Sequence, residues 1–554
     1  MQRQEWVLGF GGSDHDFSAA LLHGTDIAVA VESERLTRVK YGIPAWYEDP
    51  LRICADHCLD AAGIDAADVA RAVSSDFLPY RTLDAWSMQT FGHHECHAAS
   101  AVMLLPPASR ARVLVYDGAG SLRPADRAGA RSRYETFSFY EFADGDLTRL
   151  GGTHGERYLE HLHPLDGGTR SAGQLYELVT CMLGFEREEA GKTMGLAAWG
   201  QPRFLEELKQ HVRLGDELDD VLAFDPFDQV LHSRLAQHLS AHRDSLSVRA
   251  DLAASVQELF TLVLRRCYDL ASDGDFEVFA VAGGCALNTV ANGALAKAMP
   301  PGRRLLVPPH AGDAGIALGS LWLDRRSRSD EPFELTIRGE PLMPAIARPG
   351  RSYGGARIRR AAAAALDQAA EDPAVDGPEA LGRVLAEGAV VGVLNGGSEI
   401  GPRALGGRSV LADPRTAAAK ERINRRIKHR EPFRPLAPIV LAQHFDEYFG
   451  PPGAADPFML IVATATPECR RVAPAVVHVD GTSRVQVIGA DGDPFLIRLL
   501  SAFGAETGVP MLLNTSFNRR GEPIVETPED AVAAFLEMGL DGLWMDGVFL
   551  YRPL

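Results

Sequence analysis

A segment rich in arginine, glycine and proline carries the chemistry of an anion site. Gly396–Arg415 (GGSEIGPRALGGRSVLADPR) holds three arginines and seven glycines and prolines beside a single glutamate. The guanidinium groups of Arg403, Arg408 and Arg415, together with exposed backbone N–H groups, suit a phosphate or a carboxylate. A second cationic run, Lys420–Arg434, follows at once, and by itself it would equally suit a solvated helix face. The clustered glycine and proline of GPRALG favour an anion pocket.

Two histidines and two aspartates have the types and positions of metal ligands. His93 and His97 are four residues apart on a predicted helix, which places both imidazoles on one face. Asp117 and Asp313 each lie in a glycine-rich turn after a predicted strand, although either one alone would be typical of a plain turn. Together the four residues predict a mixed nitrogen and oxygen site suited to Fe, Mn or Zn, with room for a substrate oxygen.

Strands that end in glycine-rich turns would position these side chains. The chain opens with a predicted run of three strands, and three later segments each run from an apolar strand into a glycine-rich turn, two of them leading into a helix. Glycines and acids at the carboxyl ends of strands are where nucleotides bind in open α/β sheets. The four segments are Trp6–Leu36, Ala111–Ser121, Phe276–Leu295 and Arg303–Leu323.

A change in composition predicts a domain boundary. Thr336–Ala356 is dominated by proline and glycine and has little periodicity. Helical and strand patterns resume beyond it, which predicts a second α/β domain. The patterned segments are a helix at Pro378–Glu387, a strand at Ala389–Leu394, a helix at Thr416–Arg430, a strand at Gly508–Asn514 and a helix at Thr527–Met538.

Bulk properties narrow the function classes. The 554 residues are too many for one core, and 46% hydrophobic with 23% charged residues is ordinary for a soluble globular protein. A net charge of -18 argues against a broad nucleic-acid surface and agrees with a cationic small-molecule substrate. The opening MQRQEWVLGFGG is unlike a leader peptide, there is no apolar run of spanning length, and the seven scattered cysteines form no CxxC pair. We therefore expect a cytoplasmic protein without a membrane partner, and leave its oligomeric state open.

Ten motifs in a fixed order make the chain resemble the NodU/CmcH-type O-carbamoyltransferases, natural-product tailoring enzymes of the nebramycin-synthase kind. The motifs before the boundary are HDFSAALL, ESERLTRVKYG, GHHECHAASA, VYDGAGS, GKTMGLAAWG and AGGCALNTVAN. Those after it are EIGPRALGGRSVLADPR, HREPFRPLAP, HVDGTSRVQ and LNTSFNRRGEPIVETP.

The resemblance implies two active sites on two α/β domains. Residues 1–340 would form an ASKHA-type domain, like that of tRNA threonylcarbamoyl transferases, with a metal and nucleotide site. Residues 355–554 would form a YrdC-like domain that makes carbamoyl adenylate from carbamoyl phosphate and ATP. The adenylate would pass inside the protein to the metal site, where the carbamoyl group moves to a hydroxyl of an acceptor such as an antibiotic or a sugar. The implied cofactors are Fe²⁺, with Mn²⁺ or Zn²⁺ as alternatives, and Mg²⁺ with ATP.

The resemblance also distributes roles among residues. The metal ligands would be His93, His97, Asp117 and Asp313. Carbamoyl phosphate would meet Arg403, Lys428 and Arg434, with Arg484 and Asn514 nearby, while Ser516 and Arg519 support the nucleotide phosphates. At the metal site the nucleotide would be cradled by Gly118, Gly120, Gly283, Gly284 and Asn288, with Lys192 close by.

The general base for the acceptor hydroxyl is less well defined. His15 has a suitable side chain and matches the family's HD element, with Asp14 and Asp16 on either side, but Asp-His-Asp would equally tie down the first hairpin. Lys40 would either face the same pocket or be a solvated charge at a strand end. One departure is Gly397, which stands where the family has an arginine; Arg408 is a candidate to supply that contact.

Two other functions compete with this interpretation. A fused tRNA threonylcarbamoyl-adenosine synthase shares the chemistry but would need a tRNA-binding surface, which the net charge disfavours. A non-catalytic nucleotide sensor would keep the glycine-rich turns without needing the metal ligands or the GPRALG pocket.

Overall fold

A computed structural model describes residues 5–13, 15–42, 49–78, 86–123, 133–156, 169–225, 245–451, 453 and 455–553. It confirms the predicted α/β class, because mixed and antiparallel sheets alternate with helices along the chain. Asp14 lies outside the described residues. Among the described residues, no helix has both the length and the apolar character needed to cross a membrane.

The strands and helices are as follows. The strands are β1 (Trp6–Gly11), β2 (Ser18–His23), β3 (Asp26–Glu32), β4 (Val69–Ser75), β5 (Met88–Phe91), β6 (Ala111–Tyr116), β7 (Leu122–Arg123), β8 (Arg133–Ala143), β9 (Asp146–Gly155), β10 (Val212–Glu217), β11 (Asp220–Phe224), β12 (Val278–Ala282), β13 (Arg304–Leu306), β14 (Thr336–Ile337), β15 (Glu340–Pro341), β16 (Ala370–Glu371), β17 (Val391–Leu394), β18 (Arg408–Ala412), β19 (Ala437–Leu441), β20 (Phe449–Gly450), β21 (Val462–Ala465), β22 (Thr482–Arg484), β23 (Gln486–Ile488), β24 (Met511–Ser516), β25 (Gly542–Met545) and β26 (Val548–Tyr551). The α-helices are Ser33–Thr37, Pro50–Ala62, His93–Val102, Ala172–Met182, Ala190–Ala197, Leu205–His211, Leu246–Ala271, Thr289–Ala298, Ile316–Ser327, Leu342–Ala345, Gly355–Ala363, Pro378–Ala386, Ala417–Glu421, Phe445–Tyr448, Pro467–Val472, Pro494–Thr507 and Pro528–Met538.

The chain forms two compact units. The first contains Met1–Ala72, Tyr80–Met88 and Leu335–Leu554, and the second contains Val73–Pro79 and Gln89–Glu334. The return to the first unit at Leu335 lies close to the predicted boundary. The grouping of the first 72 residues with the C-terminal segment differs from the sequence-based division into 1–340 and 355–554.

The N-terminal part of the first unit is an antiparallel hairpin sheet. β1 pairs with β2 and β2 with β3, while β14 joins the far side of β3 in parallel. The helix Pro50–Ala62 packs on β2 and β3. It begins where the Asp49 side chain accepts hydrogen bonds from the backbone N–H groups of Leu51 and Arg52, and it ends at Gly63 with φ of 67°.

The C-terminal part of the first unit is built on an eight-stranded sheet. Its order is β16-β26-β25-β17-β18-β24-β19-β23, with both parallel and antiparallel pairs. The helices Pro378–Ala386 and Pro494–Thr507 pack together and bury Leu381, Leu499 and Phe503 in the core of this sheet. The N-terminal strands and the β18 region therefore belong to one unit.

The second unit places several glycine-rich turns at one end of its sheet. The order is β13-β12-β6-β8-β7, and β9 pairs with β8. β6 and β12 are parallel neighbours, with Val115 opposite Ala282. Parallel strands end at the same edge of a sheet, so the turns after Tyr116 and Ala282 lie side by side. The long helix Leu246–Ala271 packs against the helices Ala190–Ala197 and Thr289–Ala298.

Candidate metal centre and anion site

The four predicted metal ligands come together in the second unit. His93 and His97 lie on the helix His93–Val102, Asp117 follows β6, and Asp313 begins the turn before the helix Ile316–Ser327. The Nε2 atom of His97 lies 3.2 Å from Oδ2 of Asp117 and 3.4 Å from Oδ1 of Asp313, and the Nε2 atom of His93 lies 3.6 and 3.8 Å from the same oxygens.

The donor atoms of this group fit a divalent ion. One ligand atom from each residue lies within 4.8 Å of all the others. Ligands about 2.1 Å from a metal ion are themselves separated by about 3 to 4.2 Å, so the spacing agrees with shared coordination. The Nε2 atoms of both histidines and Oδ2 of Asp117 are buried without a hydrogen-bond partner in the described part of the chain. Buried polar atoms are rarely left in this way, and a bound cation would satisfy all three.

Neighbouring groups orient the ligands. The Nδ1 atom of His93 lies 3.4 Å from Oγ of Ser75, and Oδ1 of Asp117 accepts hydrogen bonds from the backbone N–H groups of Gly118 (2.6 Å) and Gly284 (3.3 Å). Oδ2 of Asp117 is thereby left for the histidines. Burial lowers the pKa of His97, but Asp117 and Asp313 outweigh burial and raise that pKa to about 9.

The predicted nucleotide glycines form the turns beside the metal group. A Cβ atom at Gly283, whose φ is 89°, would lie 2.4 Å from the carbonyl oxygen of Tyr116, and one at Gly120 would lie 2.5 Å from the His94 ring. A Cβ atom at Gly118 would meet nothing within 4 Å among the described residues, and one at Gly284 would lie 3.2 Å from Oδ1 of Asp117. These glycines therefore let the backbone pass close to the metal ligands, and their N–H groups donate to Asp117, Glu135 and Ala311.

Asn288 and Lys192 have structural partners in the same unit. The Asn288 side chain caps the helix Thr289–Ala298 by accepting from the N–H of Ala291 at 3.1 Å, and it exchanges two hydrogen bonds with Gln257. Lys192 forms an ion pair with Glu189 and lies 5.6 Å from the centre of the Phe185 ring. The Asn288 side chain is therefore engaged in capping this helix and in binding Gln257.

A cationic cluster lies in the first unit. It consists of Arg403, Lys428, Arg430, Arg434 and Arg484, of which Lys428 is buried and the four arginines are partly exposed. Burial, then the charges of Arg484 and Arg434, lower the pKa of Arg403 well below its ordinary value. Burial and Arg434 lower the pKa of Arg484 to about 10, and burial with Arg434 and Arg484 lowers that of Arg430 to about 9.

This cluster has the electrostatics of an anion site. The Nε atoms of Arg403 and Arg484 are buried and find no hydrogen-bond acceptor within the described ranges. Several desolvated cations facing one another are unfavourable unless an anion joins them. The structure therefore brings together Arg403, Lys428, Arg434 and Arg484, as predicted from the sequence. Arg430, on the predicted helix Thr416–Arg430, was missed, although it stands in the HREPFRPLAP motif.

The other two arginines of Gly396–Arg415 have structural partners. Arg408 is fully buried, and its guanidinium donates to the carbonyl oxygens of Glu526, Gly396, Gly407 and Arg351. Arg415 pairs with both oxygens of Asp413 and donates to the carbonyl of Ala386. Arg408 therefore does not supply the anion contact expected of it in place of the family arginine at Gly397, because its donors are occupied by carbonyl groups.

The remaining predicted phosphate ligands form hydrogen bonds or ion pairs with other residues of the first unit. Nζ of Lys428 donates to the carbonyls of Ser516 and Asn518 and to the Asn518 side chain at 2.6–2.8 Å. Asn514 donates to Gln486 at 2.8 Å and to the carbonyl of Ala404 at 3.1 Å, and Oγ of Ser516 lies 2.6 Å from Oδ1 of Asn518. Arg519 pairs with Glu522 and Glu537, so carboxylates already occupy its guanidinium.

His15 and Lys40 lie in the first unit, whereas the metal group lies in the second. Nδ1 of His15 is 3.1 Å from Oδ2 of Asp16, and both side chains are more than a third exposed. Lys40 is exposed over the Tyr41 ring, and its charge is one of those that lower the pKa of Lys428. The structure thus groups Lys40 with the cationic cluster, and a role for His15 as general base stays a prediction.

Two family models and several relatives of similar length match this chain. Residues 65–321 match the family described as Carbamoyltransferase N-terminus, and residues 382–552 match Carbamoyltransferase C-terminus. Nodulation protein NolNO of Sinorhizobium fredii (strain NGR234) is 31% identical over 96% of this chain and 78% of its own length. The Uncharacterized protein sll1178 of Synechocystis sp. is 30% identical over 99% of this chain and 96% of its own.

Solved structures resemble the chain only distantly. Full-length HypF in its phosphate- and nucleotide-bound form aligns with 60% of this chain and 48% of its own, at 12% identity and a TM-score of 0.38. The family assignment depends instead on the two domain matches and on the relatives that share most of their length. The chain belongs to the carbamoyltransferase family.

Proposed function

We propose that this protein is an ATP-dependent O-carbamoyltransferase that uses carbamoyl phosphate and modifies a hydroxyl of a small molecule such as an antibiotic or a sugar. The observation that carries the proposal is the cationic cluster of the first unit, in which the buried Nε atoms of Arg403 and Arg484 find no acceptor among the described residues. Membership of the carbamoyltransferase family supports the class of reaction.

The proposed activation step balances with one water molecule. Carbamoyl phosphate, ATP and water give carbamoyl adenylate, pyrophosphate and inorganic phosphate, with Mg²⁺ accompanying ATP. The carbamoyl–phosphate link is broken, and a carbamate oxygen forms a new bond to the α-phosphorus of ATP as pyrophosphate leaves. The acceptor hydroxyl then attacks the carbamoyl carbon, loses its proton and releases AMP. Phosphate, pyrophosphate and AMP should therefore appear in equal amounts.

The arginines have a defined part in the first step. Carbamoyl phosphate is a small dianion, and its oxygens would accept from the N–H groups that Arg403 and Arg484 leave unpaired. Arg430 and Arg434 add positive charge, and partial burial of Arg430 makes its attraction to the anion stronger than at the surface. Lys428 donates to the carbonyl oxygens of Ser516 and Asn518 and so holds the loop after β24 next to the cluster.

The second step belongs to the metal group in this proposal. A divalent ion held by His93, His97, Asp117 and Asp313 would neutralise charge on the phosphate of the leaving AMP. Gly118, Gly120, Gly283 and Gly284, which carry no side chain, would let the nucleotide come close to the backbone of these turns. The family resemblance implies His15, whose Nδ1 lies 3.1 Å from Oδ2 of Asp16, as a candidate base for the acceptor hydroxyl. Fe²⁺ is the proposed ion, with Mn²⁺ and Zn²⁺ as alternatives.

An AMP-release assay tests the proposal. Purified protein receives ATP, Mg²⁺, one of Fe²⁺, Mn²⁺ or Zn²⁺, carbamoyl phosphate and a panel of hydroxylated antibiotics and sugars. AMP, phosphate and pyrophosphate in equal amounts, lost in Arg403→Ala and retained in the exposed-pair control Arg52→Gln, would support it. Turnover with bicarbonate and threonine but not carbamoyl phosphate would instead indicate threonylcarbamoyl chemistry. Nucleotide binding without turnover would indicate a sensor.

A further inference from the structure

A buried ion pair at the end of β3 binds the backbone of the loop Gly401–Gly407, which carries Arg403. The ion pair consists of Glu32 and Arg35, whose side chains meet with Nη2 2.7 Å from Oε2. Oε1 of Glu32 accepts from the N–H of Gly401 at 2.8 Å, and Nη2 of Arg35 donates to the carbonyl oxygen of Gly401 at 2.6 Å. Both hydrogen-bonding groups of one glycine are therefore held by residues more than 360 positions earlier in the chain.

A second buried carboxylate holds the other end of the same loop. Oε1 of Glu399 accepts from the N–H groups of Leu405, Gly407 and Arg408 at 2.6, 2.7 and 3.1 Å. The negative charge of Glu399 also helps to raise the pKa of Arg35, although the charges of Glu32 and Glu34 contribute more. The segment from Gly401 to Gly407 is thus fixed at both ends by buried charged groups.

Arg403 lies between these two anchor points. Its buried Nε atom has no hydrogen-bond partner in the part of the chain that the structure describes. Its guanidinium direction therefore depends on the path of the loop backbone, which the hydrogen bonds to Gly401 and Gly407 determine. A small change in that path would move the guanidinium relative to an anion and weaken a geometry-dependent contact.

We propose that Glu32 and Arg35 are positioning residues that hold Arg403 in place for the anion. This inference rests on the proposed function in taking carbamoyl phosphate as that anion. Glu32 is 7% and Arg35 2% exposed, so neither needs to touch the anion to act. Burying an ion pair gains little net stability, whereas it can specify one conformation, and the specified feature here is the loop at Gly401.

The short helix Ser33–Thr37, which carries Arg35, is followed by a residue that binds a second loop of this unit. Arg38, immediately after the helix Ser33–Thr37, donates to the carbonyls of Ile524 at 2.6 Å and Pro523 at 3.0 Å. This loop follows Asn518, which binds Lys428 of the cationic cluster. Residues 32–38 therefore contact both loops that border the cluster. At Gly401 they bind the N–H and the carbonyl oxygen of one residue, whereas at Pro523 and Ile524 they bind only carbonyl oxygens.

Hydrogen exchange tests the contact independently of any activity. The full-length double variant Glu32→Gln/Arg35→Met removes both charges while keeping similar volume, which limits the risk of unfolding. Amide exchange of Gly401 should accelerate about tenfold or more, while the core strand Ala437–Leu441 is unchanged. The single variant Glu32→Gln keeps an oxygen for the Gly401 N–H and should show a smaller acceleration. Unchanged exchange at Gly401 in the double variant would overturn the inference.

Kinetics tests the positioning role. In AMP release, the double variant should raise KM for carbamoyl phosphate about tenfold or more while kcat changes less than about threefold. The control Arg52→Gln, which breaks an exposed pair in the same unit, should leave KM unchanged. Faster exchange with an unchanged KM would overturn the positioning role. The unchanged amide exchange of the strand Ala437–Leu441, which belongs to the same unit as Glu32 and Arg35, would show that this unit of the variant is folded.

The two proposals can fail separately. If the unmodified protein shows no AMP release that depends on carbamoyl phosphate, the proposed function fails. Calorimetric binding of inorganic phosphate then replaces the kinetic assay. Weaker phosphate binding in the double variant than in Arg52→Gln would still support positioning of Arg403, and equal binding in the two variants would overturn it.

Discussion

Oδ2 of Asp117 lies 3.2 Å from Nε2 of His97, while the other oxygen of the same carboxylate accepts the backbone N–H of Gly118. Oδ1 therefore stabilises the turn after β6, and Oδ2 faces the imidazole of His97. Asp117 and Asp313 together raise the pKa of His97 to about 9 despite the opposing effect of burial. In the ion-free protein His97 is consequently protonated at neutral pH.

Metal binding should release this proton. A cation needs the neutral imidazole, so its affinity should weaken about tenfold for each pH unit below about 9. Calorimetry with Mn²⁺ at pH 6, 7 and 8, in buffers of different ionisation enthalpy, measures both the affinity and the proton release. His97→Ala should lose binding, whereas Glu95→Gln on the same helix should keep it. Affinity that is constant from pH 6 to 8 would contradict this assignment.

Arg403→Gln and Arg415→Gln should have opposite consequences. Arg403 is a partly exposed cation whose buried Nε lacks a partner in the described structure, so its removal should leave stability unchanged or raise it by about 1 kcal/mol. AMP release should fall by roughly 100-fold, because an anion contact is lost.

Arg415→Gln provides the matched control. Its guanidinium pairs with Asp413 at the edge of the same segment, and its loss should cost about 1 kcal/mol after allowance for solvent screening. Activity should stay within about twofold. Urea unfolding with the AMP assay measures both quantities. Equal loss of activity in the two variants would place the anion site elsewhere in the segment.

Gly120→Ala and Gly118→Ala should differ although the glycines are two residues apart. A Cβ atom at Gly120 would overlap His94, whose ring cannot move freely because it is buried and Nδ1 lies 2.8 Å from Oγ of Ser138. We expect a loss of about 1 to 3 kcal/mol in stability and weaker Mn²⁺ binding through the adjacent His93. Gly118→Ala meets open space in the described structure and should cost less than about 1 kcal/mol. Thermal unfolding and calorimetry distinguish the two, and equal destabilisation would refute the steric argument.

Asp456 should make stability depend on pH. Burial outweighs the hydrogen bonds from the backbone N–H groups of Leu460, Phe458 and Ile461 and raises the pKa of Asp456 to about 7. The unfolded chain loses this proton near pH 4, so the stabilisation is present at low pH and disappears as pH rises to about 7. Asp456→Asn should therefore gain stability relative to the unmodified protein between pH 5 and 8, by roughly 1 to 4 kcal/mol.

Urea unfolding at the two pH values measures the effect of Asp456→Asn. The exposed residue Asp446, changed to Asn, serves as the control and should show no such gain. A stability difference between variant and unmodified protein that is the same at pH 5 and pH 8 would mean that Asp456 does not hold its proton in the folded chain.

Local patterns predicted many elements well because their determinants are local. The predicted helix Pro378–Glu387 is observed as Pro378–Ala386, with the proline in its first turn. Thr527–Met538 is observed as Pro528–Met538, capped by Thr527. The four metal ligands could also be predicted to converge, since two share a helix face and two follow strands.

Residue roles within Gly396–Arg415 could not be separated from the sequence. Arg403, Arg408 and Arg415 look alike in the sequence. In the described structure, however, the Nε atom of Arg403 has no partner, Arg408 donates to four carbonyl oxygens, and Arg415 pairs with a carboxylate. These differences depend on partners as distant as Glu526, which no local pattern reveals. The predicted helix Thr416–Arg430 also changes form, as an α-helix ends at Glu421 and a wider π-helix continues from Arg422 to Ile427.

The composition of the first unit from both ends of the chain has a consequence for synthesis on the ribosome. Val73–Pro79 and Gln89–Glu334 of the second unit are made before any residue of the C-terminal segment, whereas Glu32 and Arg35 must wait for Gly401. Long-range contacts of this kind are slow to form, and unpaired early strands are exposed to aggregation. β1, β2 and β3 can pair with one another early, but the outer edge of β3 stays open until β14 is made, and an open strand edge is where aggregation of the nascent chain would begin.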